Sequence, residues 1–236
     1  KLLRRGQMQA LDAQDKLEHT QAATLKAFAA VLETYDEATG EHCERVARNA
    51  RALGRELGLS ATDLDQLYWA GILHDVGKVR IPTSILQKPG ALTDDEYELM
   101  KGHPRFGGEL LRAISEDFQQ VAAGVEAHHE RFDGSGYPFG LKGEEIPLFG
   151  RILAVVDSFE AMTADRPYRR GMPPAAAMRE IIANSGSLYD DQVVVAYARL
   201  FRQGRVEVAP TNPDAQSGPL AAEVEPAPAP SIPLVN

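Results

Sequence analysis

The apolar residues of this chain recur at three and four positions and almost nowhere at two. Val46, Ala50, Leu53 and Leu57 keep that spacing, and so do Leu64, Leu67, Tyr68 and Ile72. A period of 3.6 residues puts such a set on one helix face, whereas a half-buried strand needs strict alternation. The punctuation agrees with the period. Gly58 follows the first run, as a residue that ends a helix does. Ser60 with Asp63 predicts a helix start, and Thr93 with Glu96 a capping box. Residues 118–130, 151–163, 174–183 and 191–201 read as further helices. No segment alternates convincingly and no internal repeat appears, so the expected class is all-α.

The two ends differ from this middle. Residues 1–21 are polar and helix-permissive, with Met8 and Leu11 on one face, a habit continued by Leu25, Phe28 and Leu32. They are expected to form a lead-in or linker helix from an upstream domain, without the sustained heptad of a coiled coil. Residues 22–205 form the expected single domain; 236 residues suffice for one substantial core. Residues 206–236 hold seven of the fifteen prolines, four acids and no base. Such a stretch cannot bury much apolar surface, and a disordered tail is expected.

Charge and cysteine content exclude some classes. A net charge of −9 argues against a nucleic-acid polymer as partner, since such binders carry a basic stripe. A small anionic substrate stays open, because bound cations could supply the missing positive charge. The single cysteine, Cys43, allows no intrachain disulfide and fits a reducing, cytoplasmic setting. It reads as a small half-buried residue, because no second thiol stands at ligand spacing. No apolar run approaches the roughly 18 to 20 residues of a membrane-spanning helix, and no leader pattern is visible.

Five of the six histidines lie between His42 and His129; His19 stands apart and reads as a surface residue. His74-Asp75 closes a predicted helix. Imidazole and carboxylate both suit borderline metals, and a carboxylate can bridge two ions. Gly77 then frees the backbone to turn. Lys78 puts a cation just beyond, where a phosphate oxygen could be met. His128 and His129 are adjacent, so on a helix they point about 100° apart and could reach different parts of a cluster. A shaped loop follows them, with Asp133, Gly134, Gly136 and Pro138. Asp157 interrupts an apolar run, and a buried carboxylate needs a metal, a cation or several donors. Arg166 stays open as a structural partner for it.

Taken in order along residues 41–200, these motifs resemble the HD-GYP domains, a branch of the HD superfamily of metal-dependent phosphohydrolases. The resemblance rests on His42-Cys43-Glu44-Arg45-Val46, His74-Asp75-Val76-Gly77-Lys78, His103-Pro104 and the run from His128 through Gly136-Tyr137-Pro138. Asp157 through Thr163 and Arg166 through Arg169 complete it. It implies an HD-type helical bundle with extra C-terminal helices and a GYP loop. It implies that His42, His74, Asp75 and Asp157 are core metal ligands. His103, His128 and His129 would build a second site, with Asp75 as the bridge. Lys78 matches the lysine that contacts the scissile phosphate, so Asp75 and Lys78 are the expected catalytic pair. Gly136, Tyr137 and Arg166 are expected to hold the nucleotide. Some members recruit a third metal with a glutamate where this chain has Ala38. Two divalent ions are therefore expected, iron or manganese first, with nickel or zinc as substitutes. Glu160 stands where many members have aspartate.

The implied activity is hydrolysis of cyclic di-GMP to pGpG, with GMP as a further product. In two-metal chemistry, ions roughly 3.5 to 4 Å apart share a hydroxide that attacks phosphorus in line. Two alternatives stay open: hydrolysis of another nucleotide or cyclic dinucleotide, and a non-catalytic signalling module docking through the Tyr137 loop. The complete ligand set favours an enzyme. Expected partners are the cyclic dinucleotide, an upstream receiver or sensor domain, a GGDEF-type signalling protein and a second copy in a homodimer.

Overall fold

The computed structural model of the chain describes residues 41–165 and 170–209, together with Ala27. The expected lead-in helix, His19, Ala38, Arg166 and residues 210–236 lie outside the described residues. Nine α-helices run through the described residues. They are α1 (His42–Glu56), α2 (Ala61–Leu73), α3 (Thr83–Leu86), α4 (Asp94–Met100), α5 (His103–Ile114), α6 (Gln119–Glu126), α7 (Leu148–Thr163), α8 (Pro174–Ala183) and α9 (Asp191–Arg202). Tight 3-10 turns at Val76–Arg80, Glu116–Phe118 and Gly143–Glu145 join some of them. Among the described residues the sole trace of β pairing is an isolated bridge between Ser185 and Tyr189. The chain is all-α, as its periodicity predicts. No described helix is long and apolar enough to cross a membrane.

The expected caps form. Gly58 adopts φ +83° beyond α1, a region that side chains avoid. Ser60 Oγ accepts from the Asp63 amide at 3.2 Å at the start of α2. Thr93 and Glu96 exchange both bonds of a capping box at the start of α4. Each such cap contributes on the order of 1 kcal/mol.

Thirteen of the sixteen residues of α7 are buried, so this helix can only lie at the centre. Helices α1, α2, α6, α8 and α9 pack around it. Ile152, Leu153 and Phe159 are fully enclosed there, and truncating any of them would cost about 2 to 5 kcal/mol. Helix α2 lies tightly along α1. A Cβ at Gly71 would come within 2.5 Å of the Ala47 Cα, so only glycine permits that approach.

Two boundaries differ from expectation. The helix expected over 118–130 stops at Glu126, and His128 and His129 occupy the turn that follows. The cause is local. The His128 ring donates from Nδ1 to the Val125 carbonyl at 2.6 Å, an oxygen that a continuing helix would give to the His129 amide. At the other end, the stretch just past residue 205 packs back onto the core. Val206 and Val208 pack against it and Ala209 is buried. The Glu207 amide donates to Asn49 Oδ1 at 2.8 Å, and its carbonyl accepts from Asn49 Nδ2 at 2.9 Å.

Candidate metal centre

Five segments deliver the predicted residues to one place. His42 opens α1, His74 caps α2 and His103 opens α5. His128 and His129 sit just past α6, and Asp157 lies within α7. The side chains fall into two groups. His42, His74 and Asp157 form one, and His103, His128 and His129 the other; within each, one donor atom per residue lies within 4.8 Å of its neighbours. Asp75 reaches both groups. Its Oδ2 is 3.3 Å from His74 Nε2, and its Oδ1 is 3.2 Å from His103 Nε2.

A repeated device fixes the rings. His74, His103 and His128 each direct Nδ1 at the backbone carbonyl three residues earlier, at 2.8, 2.8 and 2.6 Å. A carbonyl only accepts, so Nδ1 carries a proton and Nε2 is the ring atom turned inward. His42 is held differently. Its Nδ1 donates to Glu160 Oε2, a carboxylate rather than a carbonyl.

The inward atoms fit a cation better than they fit one another. Nε2 of His103 and Nε2 of His128 lie 3.4 Å apart, both turned inward. Nε2 of His74, Oδ1 of Asp75 and Oδ1 of Asp157 are buried and make no hydrogen bond of proper geometry among the described residues. Leaving such atoms unsatisfied costs roughly 1 to 3 kcal/mol each. One positive ion per group would answer all of them. The mixture of imidazole and carboxylate suits a borderline divalent metal rather than calcium.

Electrostatics separates the two groups. Burial alone would lower the His42 pKa, but the carboxylates of Asp157 and Glu160 outweigh it and push it up to about 10. That proton supplies the positive charge that a metal ion would otherwise supply, and a metal would displace it. For His128, burial and then the charges of His103 and His74 pull the pKa down to about 3. Burial would raise Asp75, yet Lys78 and His74 hold it well below the usual carboxylate range. Asp157 is likewise lowered against its burial, by its contact with His42 and the charge of His74.

Lys78 is buried, and its Nζ donates to Asp75 Oδ2 at 2.9 Å. Gly77 lets this turn lie flat on α5; a Cβ there would collide with the His103 carbonyl and the Gly107 amide. The GYP loop wraps the second group. Gly136 lies against the backbone of Glu130 and Arg131 with no room for a side chain. The Tyr137 amide donates to the His129 carbonyl at 3.2 Å, and the two rings stand 4.9 Å apart. Burial raises the Tyr137 pKa, so its phenol keeps its proton.

The sequence profile of the HD domain family matches residues 26–193. The chain belongs to the HD domain family. Within it, the chain is an HD-GYP domain. It is 43% identical over 190 residues to a cyclic di-GMP phosphodiesterase response regulator, RpfG, of Xanthomonas campestris, covering 80% of this chain and 50% of that protein. It is 44% identical over 169 residues to a cyclic di-GMP phosphodiesterase of Thermotoga maritima, covering 71% of this chain and 46% of that protein. In fold it is similar to the crystal structure of a cyclic GMP-AMP specific phosphodiesterase of V. cholerae, with a TM-score of 0.62 at 22% identity, covering 78% of this chain and 49% of that one. The chain spans about half the length of the relatives it matches.

This HD-GYP domain also uses residues to which the sequence reading gave no role. Glu160 and Arg45 form a buried pair behind His42, with Nη2 of Arg45 2.5 Å from Glu160 Oε1. Glu130 is buried and accepts from the Phe139 and Leu141 amides at 2.7 and 3.1 Å, which shapes the GYP loop. The signal for the first pair was present. His42 with Arg45 and Asp157 with Glu160 are both three apart, on facing helices. Glu130 carried no such signal, because its partners are loop amides nine and eleven residues away. Cys43 is buried rather than half-buried, and it belongs to neither donor group.

Proposed function

We propose that this chain is a metal-dependent phosphodiesterase that opens cyclic di-GMP to pGpG, with GMP as the further product. The observation that carries the proposal is the pair of three-donor groups with Asp75 between them and Lys78 alongside. The relatives named as cyclic di-GMP phosphodiesterases support the substrate.

In this proposal His42, His74 and Asp157 would hold one divalent ion and His103, His128 and His129 a second, with Asp75 as the ligand they would share. Iron or manganese is the expected metal, with nickel or zinc as substitutes. When bound, such ions supply Lewis acidity and make water a nucleophile near neutral pH. The chain's own residues do the rest. The carbonyl latches keep three imidazoles aimed inward through Nε2, so no reorganisation is needed as charge develops. Lys78 offers its ammonium to a phosphoryl oxygen at the edge of the cluster. Tyr137, protonated and beside His129, gives the substrate a ring face and a donor, and Gly136 lets the loop lie close. Arg166 is assigned to the nucleotide by the family resemblance. No side-chain nucleophile is required.

The test is turnover. Purified chain loaded with manganese or iron is incubated with cyclic di-GMP, cyclic GMP-AMP and linear dinucleotides, and the products are separated by chromatography. The expected result is pGpG from cyclic di-GMP. Tight binding of the dinucleotide with no product under any metal would replace the enzyme with a signalling module. Preference for cyclic GMP-AMP would keep the chemistry and change the substrate. Elemental analysis of the same sample counts the ions. A cytoplasmic setting, an upstream receiver or sensor domain, a GGDEF-type partner and a homodimer complete the proposal.

A further inference from the structure

Two facing helices carry residues three apart: His42 and Arg45 on α1, Asp157 and Glu160 on α7. The four alternate in charge. Asp157 Oδ1 stands 3.4 Å from His42 Nε2, and His42 Nδ1 donates to Glu160 Oε2. Arg45 donates to Glu160 Oε1 from Nε at 2.9 Å and from Nη2 at 2.5 Å. Its Nη1 reaches Glu41 at 3.1 Å. His42, Arg45 and Glu160 are 6%, 5% and 2% exposed, so the row is a buried one.

We propose that Glu160, clamped by Arg45, is the positioning residue for His42, and that it makes the His42–His74–Asp157 group the tighter of the two cation sites. This rests on the metal-centre assignment above. Both oxygens of Glu160 are committed, one to the imidazole and one to the guanidinium. The carboxylate therefore cannot swing forward to become a ligand, and the Arg45 guanidinium is fixed behind it. A carboxylate that accepts from Nδ1–H locks the tautomer and makes Nε2 a stronger donor than a backbone carbonyl would. His74, His103 and His128 have only carbonyls behind them. The His42 group also contains Asp157, whereas the other group is three imidazoles. The first cation therefore goes to the His42 group.

The length of Glu160 matters as well. Aspartate is one methylene shorter and reaches less far toward His42 and Arg45. The Glu160→Asp variant should keep one contact and lose the other, giving behaviour between wild type and Glu160→Gln.

The experiment is a titration of the whole metal-free chain with manganese against a chromophoric chelator. Wild type should bind in two separable steps. Glu160→Gln should weaken the tighter step about 10- to 100-fold and leave the weaker step in place. His128→Ala should remove the weaker step alone. The second readout is proton and nitrogen NMR of histidine-labelled protein loaded with zinc, which is diamagnetic. The His42 Nδ1–H should show the downfield shift of a bond to a carboxylate in wild type and lose it in Glu160→Gln. If Glu160→Gln fails to fold because it strands the Arg45 charge, the paired variant E160Q/R45M removes both charges and is read the same way. A wild type that binds no cation overturns the metal-centre assignment together with this proposal. Two normal steps in a folded Glu160→Gln chain, or equal weakening of both, overturn this proposal alone. Neither readout uses substrate, so failure to hydrolyse cyclic di-GMP touches only the assigned activity.

Discussion

The two donor groups contain three residues each but are built on different terms. The His42 group comes from the central α7 and the two helices α1 and α2 packed on it, and it has Asp157 inside it and Glu160 behind. The His103 group comes from a helix start and the turn after α6; it contains no carboxylate of its own, and a loop closes over it. The same ligand chemistry is thus placed once by the core and once by its rim. A site fixed by core packing can hold its geometry empty, while one fixed by turns depends on the cation and the loop to complete it.

The largest effect should come from removing what the groups share. Asp75→Ala should lose both steps of metal binding and drop turnover below about one-thousandth of wild type, measured with metal content on the same sample. Retention of either step would show that the groups are independent. Next, His74→Ala and His128→Ala should each remove one step, with His74→Ala taking the tighter. Loss of both ions from either variant would mean a single cooperative centre.

The joint between the groups comes third. Gly77→Ala pushes a methyl into the His103 carbonyl and the Gly107 amide, so it should destabilise folding by about 3 kcal/mol in urea unfolding. A neutral result would show that α5 can move relative to α2. Fourth, Glu130→Ala strands the Phe139 and Leu141 amides, at about 1 to 3 kcal/mol for each left unsatisfied. It should raise KM more than it lowers kcat and leave the tighter metal step intact. The smallest effect belongs to Arg48→Ala. Its ion pair with Glu207 is exposed, and its loss should change stability by less than about 1 kcal/mol and turnover not at all.

Much of this contrast was legible before any coordinates. The helical period placed α1, α2, α7, α8 and α9 nearly to their ends, because each has an apolar stripe, and Ser60 and Asp190 cap α2 and α9. The histidines and aspartates stood out because such residues within apolar runs need a partner. What the period could not show was competition for backbone oxygens. The Val125 carbonyl binds the His128 ring, so a pattern that continues to 130 gives a helix that ends at Glu126. Nor could it show which acid stands behind which histidine. Asp157 stood out as a ligand, but nothing in the sequence shows that Glu160 faces Arg45. Only the packing of α1 on α7 turns one carboxylate toward the cluster and the other toward Arg45.

The carbonyl latches carry a thermodynamic consequence. Each is made at a helix terminus, by His74 at the end of α2, His103 just past α4 and His128 just past α6. The inward-facing Nε2 atoms therefore come together only while those helices are in register. An ion that binds this state and ignores the unfolded chain stabilises every helix that reports to it, by RT ln(1 + [M]/Kd), or about 2.7 kcal/mol at a hundred times Kd. Chelation should then lower the unfolding midpoint of the whole bundle rather than loosen a single loop. The metal would act as a keystone whose removal is felt in the walls.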